Sequence, residues 1–269
     1  MSGPAGTSSV VPAPAVPPNA LVEYLLRLGD DRLVLGHRVS EWCGHGPILE
    51  EDIALSNVSL DLLGQATMLL RLAGEAEGRG RNEDALAYFR EVVEFRNCQL
   101  VELPKGDFAF TIARQFLFDV YAVVMLDALT GSSHGELAAI AAKSLKEAKY
   151  HVRHSGEWML RLGDGTDESH RRVQKAIDEL WRFTGELFTP DDVDRAMQDA
   201  GVGPDLAVLR PRWESLVRDV VARATLTIPN DSPRLASTRG GRTGAHTEYL
   251  GHILAEMQII ARSHPGATW

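Results

Sequence analysis

The sequence contains few cysteines, and their positions do not match a metal-binding or disulfide-rich protein. Among 269 residues only Cys43 and Cys98 occur. Neither belongs to a C-x-x-C or Cys/His pattern, which argues against a disulfide framework and a structural zinc site. This cysteine usage fits a reducing cytoplasm.

Excess positive charge and long uncharged apolar runs are also missing. The formal net charge is −9, whereas proteins that bind nucleic acid gain affinity from clustered Lys and Arg. No run of about 18 uncharged apolar residues occurs, so we expect no membrane span. The N-terminus lacks the basic-then-apolar order of a signal peptide. These absences favour a soluble, cytoplasmic protein.

Motifs of the commonest nucleotide-binding and acyl-transfer enzymes are absent, as is any strand pattern. There is no G-x-G-x-x-G, P-loop or nucleophile-elbow motif, and no run with period-two alternation. Apolar residues recur instead every three or four positions, which is typical of amphipathic helices. The predicted helices cover residues 19–43, 53–78, 83–102, 108–129, 136–162, about 173–187, and 246–262. The sequence predicts an all-α fold, a long four-helix bundle with additional helices.

Two segments depart from the helical pattern. Residues 1–18 are rich in Pro, Ala and Ser and have few large apolar side chains, which predicts a disordered tail. Residues 19–269 then form one helical domain. Residues 226–244 contain several Pro, Gly and Arg residues and are predicted to form an exposed basic loop.

Long antiparallel helices are the setting in which di-iron sites are built. Such a site takes one carboxylate from each of two helices and a Glu-x-x-His from each of the other two. Two segments come close to this pattern: Asp61 with Gln65, and Glu147 with His151. The pattern is incomplete in both.

Several longer segments resemble the C-type family of the bacterial phenylacetyl-CoA epoxidase complex. They are Leu26–Asp30, Glu41–His45, Leu60–Ala66, Lys146–His151, Leu180–Thr184, His246–Gly251, Leu254–Gln258 and the final Trp269. The resemblance implies a ferritin-like fold without metal or cofactor. It also implies a partner, the related catalytic A subunit, which holds the di-iron centre. The complex inserts one atom of O₂ into the aromatic ring of phenylacetyl-CoA.

The resemblance also identifies the positions at which the catalytic partner holds its metal. Leu62 and Gln65 stand at the first Glu-x-x-His, and Ala148 and His151 at the second. Asp119 is the retained carboxylate. The ligand expected from the first helix falls near Asp31 or Arg32, where a cation would repel iron. Two of six ligands remain, fewer than even a mononuclear site generally needs.

A shift by one residue would recruit Asp61 and Glu147 as carboxylates. One residue turns a helix by about 100°, so neither is expected to share the face of Gln65 or His151. We expect Asp119 and His151 to form a buried polar pair, hydrogen-bonded to each other or to Lys149 or Tyr150, because buried charges must be paired.

Five further residues are candidates for contact with a partner or substrate. Arginine presents bidentate donors to phosphate, so the basic loop could contact an acidic partner surface or a CoA ester. His246 and Glu248 lie two positions apart, on different helix faces, and do not form a metal or acid–base pair by themselves. Their family-like context favours an interface. The candidates are Arg234, Arg239, Arg242, His246 and Glu248.

Three functions remain open. The first is a non-catalytic structural subunit of the epoxidase, with no site for catalysis in this chain. The second is a di-iron oxygenase with an unusual ligand set. The third is a ferritin-like storage or structural homo-oligomer, and self-association of the isolated chain is compatible with the first as well.

Overall fold

The computed structural model describes residues 18–229 and 240–267. These residues form ten α-helices and no β-strand, which confirms the predicted all-α, ferritin-like fold. Three short 3-10 helices cover Val92–Glu94, Trp181–Phe188 and Gly241–Thr243. The α-helices are α1 (Pro18–Ser40), α2 (Leu49–Glu77), α3 (Glu83–Tyr88), α4 (Gln99–Glu102), α5 (Phe108–Leu129), α6 (Gly135–Gly163), α7 (Asp167–Leu180), α8 (Asp192–Asp199), α9 (Leu206–Arg223) and α10 (Glu248–Ser263).

Some predictions concern residues outside the described ranges. The predicted tail lies outside them apart from Pro18, which begins α1. Arg234, Arg239 and Trp269 also lie outside the described residues. Side chains from both described ranges contribute to one continuous hydrophobic core.

Helices α1 and α2 form a closely packed antiparallel hairpin. A Cβ at Gly29 would lie 2.8 Å from Leu70 Cδ2, and one at Gly36 would lie 3.1 Å from Leu63 Cδ2. Both pairs of residue numbers add up to the same value, as antiparallel packing requires. The two glycines, seven residues apart, therefore let α2 approach the backbone of α1.

Helices α5 and α6 form the second hairpin of the bundle. Asp107 caps α5 by accepting a hydrogen bond from Phe110 N at 2.8 Å. Just after α1, Trp42 Nε1 donates to Thr111 Oγ1 near the start of α5 at 2.9 Å. Tyr24, near the start of α1, lies against Met125 near the end of α5. Helices α1 and α5 are thus antiparallel, and the two hairpins enclose one core.

The segment predicted as one helix at residues 83–102 is divided, so that prediction is wrong. Helices α3 and α4 flank the 3-10 turn Val92–Glu94. Arg96 N donates to Asp30 Oδ2 and Cys98 N to Asp31 Oδ1, both at 2.8 Å. Because these two buried carboxylates of α1 take up backbone donors, the segment follows α1 instead of continuing as a helix.

Candidate functional site

The positions that the resemblance matches to a di-iron site are buried inside the bundle. Helix α1 contributes Asp31 or Arg32, α5 contributes Asp119, and α2 and α6 contribute two residues each. Every one of these side chains is buried. The contributions of α2 and α6 are Leu62, Gln65, Ala148 and His151.

Arg32 places a guanidinium inside the bundle. Its Nε donates to Gln65 Oε1 at 2.9 Å, and its Nη1 donates to Leu28 O at 2.8 Å. Burial lowers the pKa of Arg32, and the negative charge of Asp31 opposes that shift. Arg32 is one of the two residues, with Asp31, near which the resemblance expects a ligand from the first helix.

Two hydrogen bonds join α2 to α6 across the bundle. Gln65 Nε2 donates to Glu147 Oε2 at 2.8 Å, and His151 Nε2 donates to Asp61 Oδ2 at 3.0 Å. The expectation that Asp61 and Glu147 do not share the face of Gln65 or His151 is wrong. Asp61 and Gln65 are four positions apart, as are Glu147 and His151, so each pair lies on one helix face and both of its members reach the neighbouring helix.

Asp119 has a different partner from the predicted one. Ser155 Oγ donates to Asp119 Oδ2 at 2.8 Å. No hydrogen bond joins Asp119 to His151 in the described residues, and Lys149 and Tyr150 are exposed. The predicted pairing of Asp119 and His151 with each other or with these two neighbours is thus wrong, although both side chains do find partners.

Burial raises the pKa of Asp119 to about 6. Nearby His151, the hydrogen bond from Ser155 and the neighbouring His154 act in the opposite direction but do not cancel the effect of burial. The neutral form of this buried carboxyl group therefore persists to higher pH than that of an exposed aspartate.

One histidine was missed by the sequence analysis. His154 Nε2 lies 2.8 Å from Glu51 Oε2, and both side chains are largely buried. His154 follows His151 by three positions and therefore lies on the same face of α6. That spacing could have indicated the pair, but the Glu-x-x-His pattern of a di-iron site does not include it.

The residues present do not fit a di-iron centre. Within residues 18–229 and 240–267, no group of three or more His, Cys, Asp and Glu side chains is placed to hold a metal ion. Leu62 and Ala148 have no ligand atoms, and the Arg32 guanidinium carries positive charge where iron would need negative charge. The centre is instead filled by side chains that bond to one another.

Arg242 is not on an exposed loop, contrary to the prediction. Its Nη2 donates to Asp31 Oδ2 at 2.8 Å, and its Nη1 donates to Arg96 O at 3.0 Å. Burial by itself would lower the pKa of Arg242, but Asp31 and other neighbouring groups hold it well above the usual value. Both terminal nitrogens therefore already donate within the chain, and contact with a partner or a CoA ester stays a prediction.

His246 and Glu248 have separate environments, as their spacing predicts. His246 Nδ1 lies 2.8 Å from Glu102 Oε1, and its Nε2 donates to Phe95 O at 3.0 Å. Glu248 is exposed in the first turn of α10. The buried histidine joins the C-terminal segment to α4, whereas Glu248 is free to face solvent or a partner.

Comparisons with known proteins give a consistent result. A family model described as "Phenylacetic acid catabolic protein" matches residues 10–269. The chain is 49% identical over 251 residues to the C subunit of the 1,2-phenylacetyl-CoA epoxidase of Escherichia coli (strain K12). That alignment covers 93% of this chain and 100% of the relative.

Proposed function

Because the chain belongs to the phenylacetic acid catabolic protein family, we propose that it is the non-catalytic C-type subunit of a multicomponent phenylacetyl-CoA 1,2-epoxidase. The similarity to the C-type chain of an epoxidase extends over the whole length of that relative. In this role the chain acts in aerobic phenylacetate catabolism in the cytoplasm. Its partners are the catalytic A subunit and the other subunits of the complex.

One observation carries the non-catalytic part of this proposal. The Arg32 guanidinium lies in the bundle centre and donates to Gln65, which stands where a histidine ligand is expected. A fixed cation at that position repels iron, and Asp119 with His151 cannot neutralise two metal ions. The chain retains the bundle and lacks the ligand set, so the di-iron cofactor belongs to the partner.

The proposed role is structural support. The polar side chains in the bundle centre bond to one another across helices, and such internal bonding makes a bundle rigid. The chain can therefore present a fixed helical surface to its catalytic partner. The chemistry of oxygen insertion takes place in that partner.

Iron content and native mass together test this proposal. Both are measured on this protein purified alone, and again after co-expression with the catalytic A-type subunit. We expect a stable complex of the two chains with iron confined to the partner. About two irons per chain in the isolated protein would overturn the proposal, and would make Asp119 and His151 metal ligands. A chain that binds no iron and forms no complex would instead be a structural homo-oligomer.

A further inference from the structure

One face of α2 is exposed, carries three large apolar side chains and is not covered by the described residues. Its members recur every three or four positions and therefore form a single line along the helix. Leu49 is 71% exposed, Ile53 52% and Leu60 66%. We call this face the outward stripe of α2, and it consists of Leu49, Ile53, Asn57, Leu60, Gly64 and Thr67.

The outward stripe contains no charge. Asp61 is the only charged residue from Ile53 to Leu70, and it bonds to His151 on the side that faces α6. Surface helices normally place charged side chains toward water, and a contiguous exposed apolar patch marks an interaction site. The stripe is therefore suited to burial against another uncharged surface.

Gly64 lies within the stripe, and its own chain gives no reason for a glycine there. A Cβ at this position would meet no atom within 4 Å. Glycine inside a helix costs about 1 kcal/mol relative to alanine. Close approach of a second helix would account for it. The axes of packed helices lie about 8–10 Å apart, and small side chains at the contact permit the shorter distances.

The spacing also indicates how a partner would lie. Leu49 and Leu60 are 11 residues apart, and so are Ile53 and Gly64, which corresponds to about 3.67 residues per turn and nearly matches the α-helical repeat. The line of exposed positions hence runs almost along the helix axis. A second helix would pack lengthwise on the stripe.

The charge of this chain limits which molecule could cover the outward stripe. Helices that lie on membranes carry Lys and Arg on the polar face, whereas the stripe begins beside exposed Glu50 and the chain has a net charge of −9. A second copy would bring another −9, and such self-repulsion opposes association. An uncharged helix face on a different protein is therefore a more favourable occupant than a second copy.

We propose that the outward stripe of α2 is the docking face for a helix of the catalytic di-iron subunit. The inference rests on the proposed function, which supplies a helical partner of the same fold. Burial of Leu49, Ile53 and Leu60 would stabilise the complex in proportion to the apolar area removed from water.

The test compares four single variants of the full chain, each titrated against the purified catalytic subunit. Leu60→Glu places a charge in the stripe, and Gly64→Leu blocks close approach. Val208→Glu on α9 is the matched control for Leu60→Glu, because Val208 is 68% exposed. Ile259→Glu, at a position 59% exposed, examines the apolar surface of α10. Circular dichroism and melting temperature check that each variant folds.

We expect Leu60→Glu and Gly64→Leu each to raise Kd by at least about tenfold, and the other two variants to change it by less than about twofold. Unchanged binding by both stripe variants would overturn the docking face. Loss of binding only with Ile259→Glu would do so too and place the interface on α10.

Two further outcomes distinguish the inference from the proposed function. If the unaltered chain forms no complex with the catalytic subunit, the proposed function fails and the inference fails with it. If the isolated chain is a dimer that Leu60→Glu converts to a monomer, while binding to the catalytic subunit is unaffected, the occupant is a second copy and the inference alone is wrong.

Discussion

Helices α2 and α5 are the two most apolar long helices in the described part of the chain, but the fold buries them to different extents. Each is long and apolar enough to cross a membrane by length and composition alone. In α5, 89% of the most apolar 18-residue stretch is buried within the chain, against 44% in α2. Core helices of soluble proteins satisfy the same criterion, and α5 is one of them.

The difference arises from the position of each helix in the bundle. Helix α5 is surrounded by α6, α7 and α9, and its buried Arg114 donates to Leu103 O. Helix α2 packs on α1, α3 and α6, which leaves its outward stripe uncovered. The apolar side chains of α5 are thus buried by other helices of this chain, whereas those on the outward stripe of α2 are left exposed.

The largest effect is expected for truncation inside α5. Phe116 is fully buried and lies beside Gly156 of α6. Phe116→Ala should lower the stability of the isolated chain by about 3–5 kcal/mol, because the cavity adds to the lost transfer free energy. Thermal melting should show a Tm lower by about 10 °C. The same decrease in Tm should appear in the isolated chain and in the presence of the catalytic subunit at a concentration well below saturation.

A small change in Tm for Phe116→Ala would contradict this account of α5. It would mean that the core around Phe116 collapses around the smaller side chain. Val208→Ala, at an exposed position of α9, is the control and should leave Tm nearly unchanged.

The helices themselves could largely be predicted from the sequence, because their apolar spacing and the Gly and Pro residues between them are local features. The division of the segment 83–102 could not. It depends on Asp30 and Asp31, which lie more than 60 positions earlier and accept from Arg96 N and Cys98 N. Helical propensity carries no information about such distant acceptors.

The site was predictable in position but not in bonding. The resemblance placed Gln65 and His151 in the bundle centre, where the structure also has them. Their bonds to Glu147 and Asp61 cross between helices and depend on how α2 and α6 face each other. The burial of Arg242 could not be predicted for the same reason, since its partner Asp31 is 211 positions away.

A second prediction concerns the buried acid of α5. The pKa of Asp119 is about 6, raised from about 4 in an unfolded chain. Below pH 4 the group is protonated in both states, so the stability that its proton contributes is fully present and does not change with pH. Between pH 4 and 6 the folded chain binds the extra proton, so the stability contributed by that proton is lost as pH rises through 6.

The variant Asp119→Asn stays neutral and still accepts from Ser155. The difference in unfolding free energy, wild type minus variant, should therefore fall by about 2 kcal/mol between pH 4 and pH 7. Denaturant titrations at both pH values measure it, and titrating groups that do not interact with Asp119 cancel in the difference. A constant difference across this range would show that the environment of Asp119 does not favour its neutral form.

The smallest change in stability is expected for a substitution on the outward stripe of α2. This prediction tests the difference between α2 and α5 most directly. Leu60→Ala should change the stability of the isolated chain by less than about 0.5 kcal/mol, since Leu60 is 66% exposed. Leu69→Ala, on the buried side of the same helix, should cost about 2–5 kcal/mol. A large loss for Leu60→Ala in the isolated chain would mean that its own fold already packs this side chain. A negligible loss leaves the apolar stripe without an intramolecular cause, and burial against a partner is then the physical reason for leucine at that position.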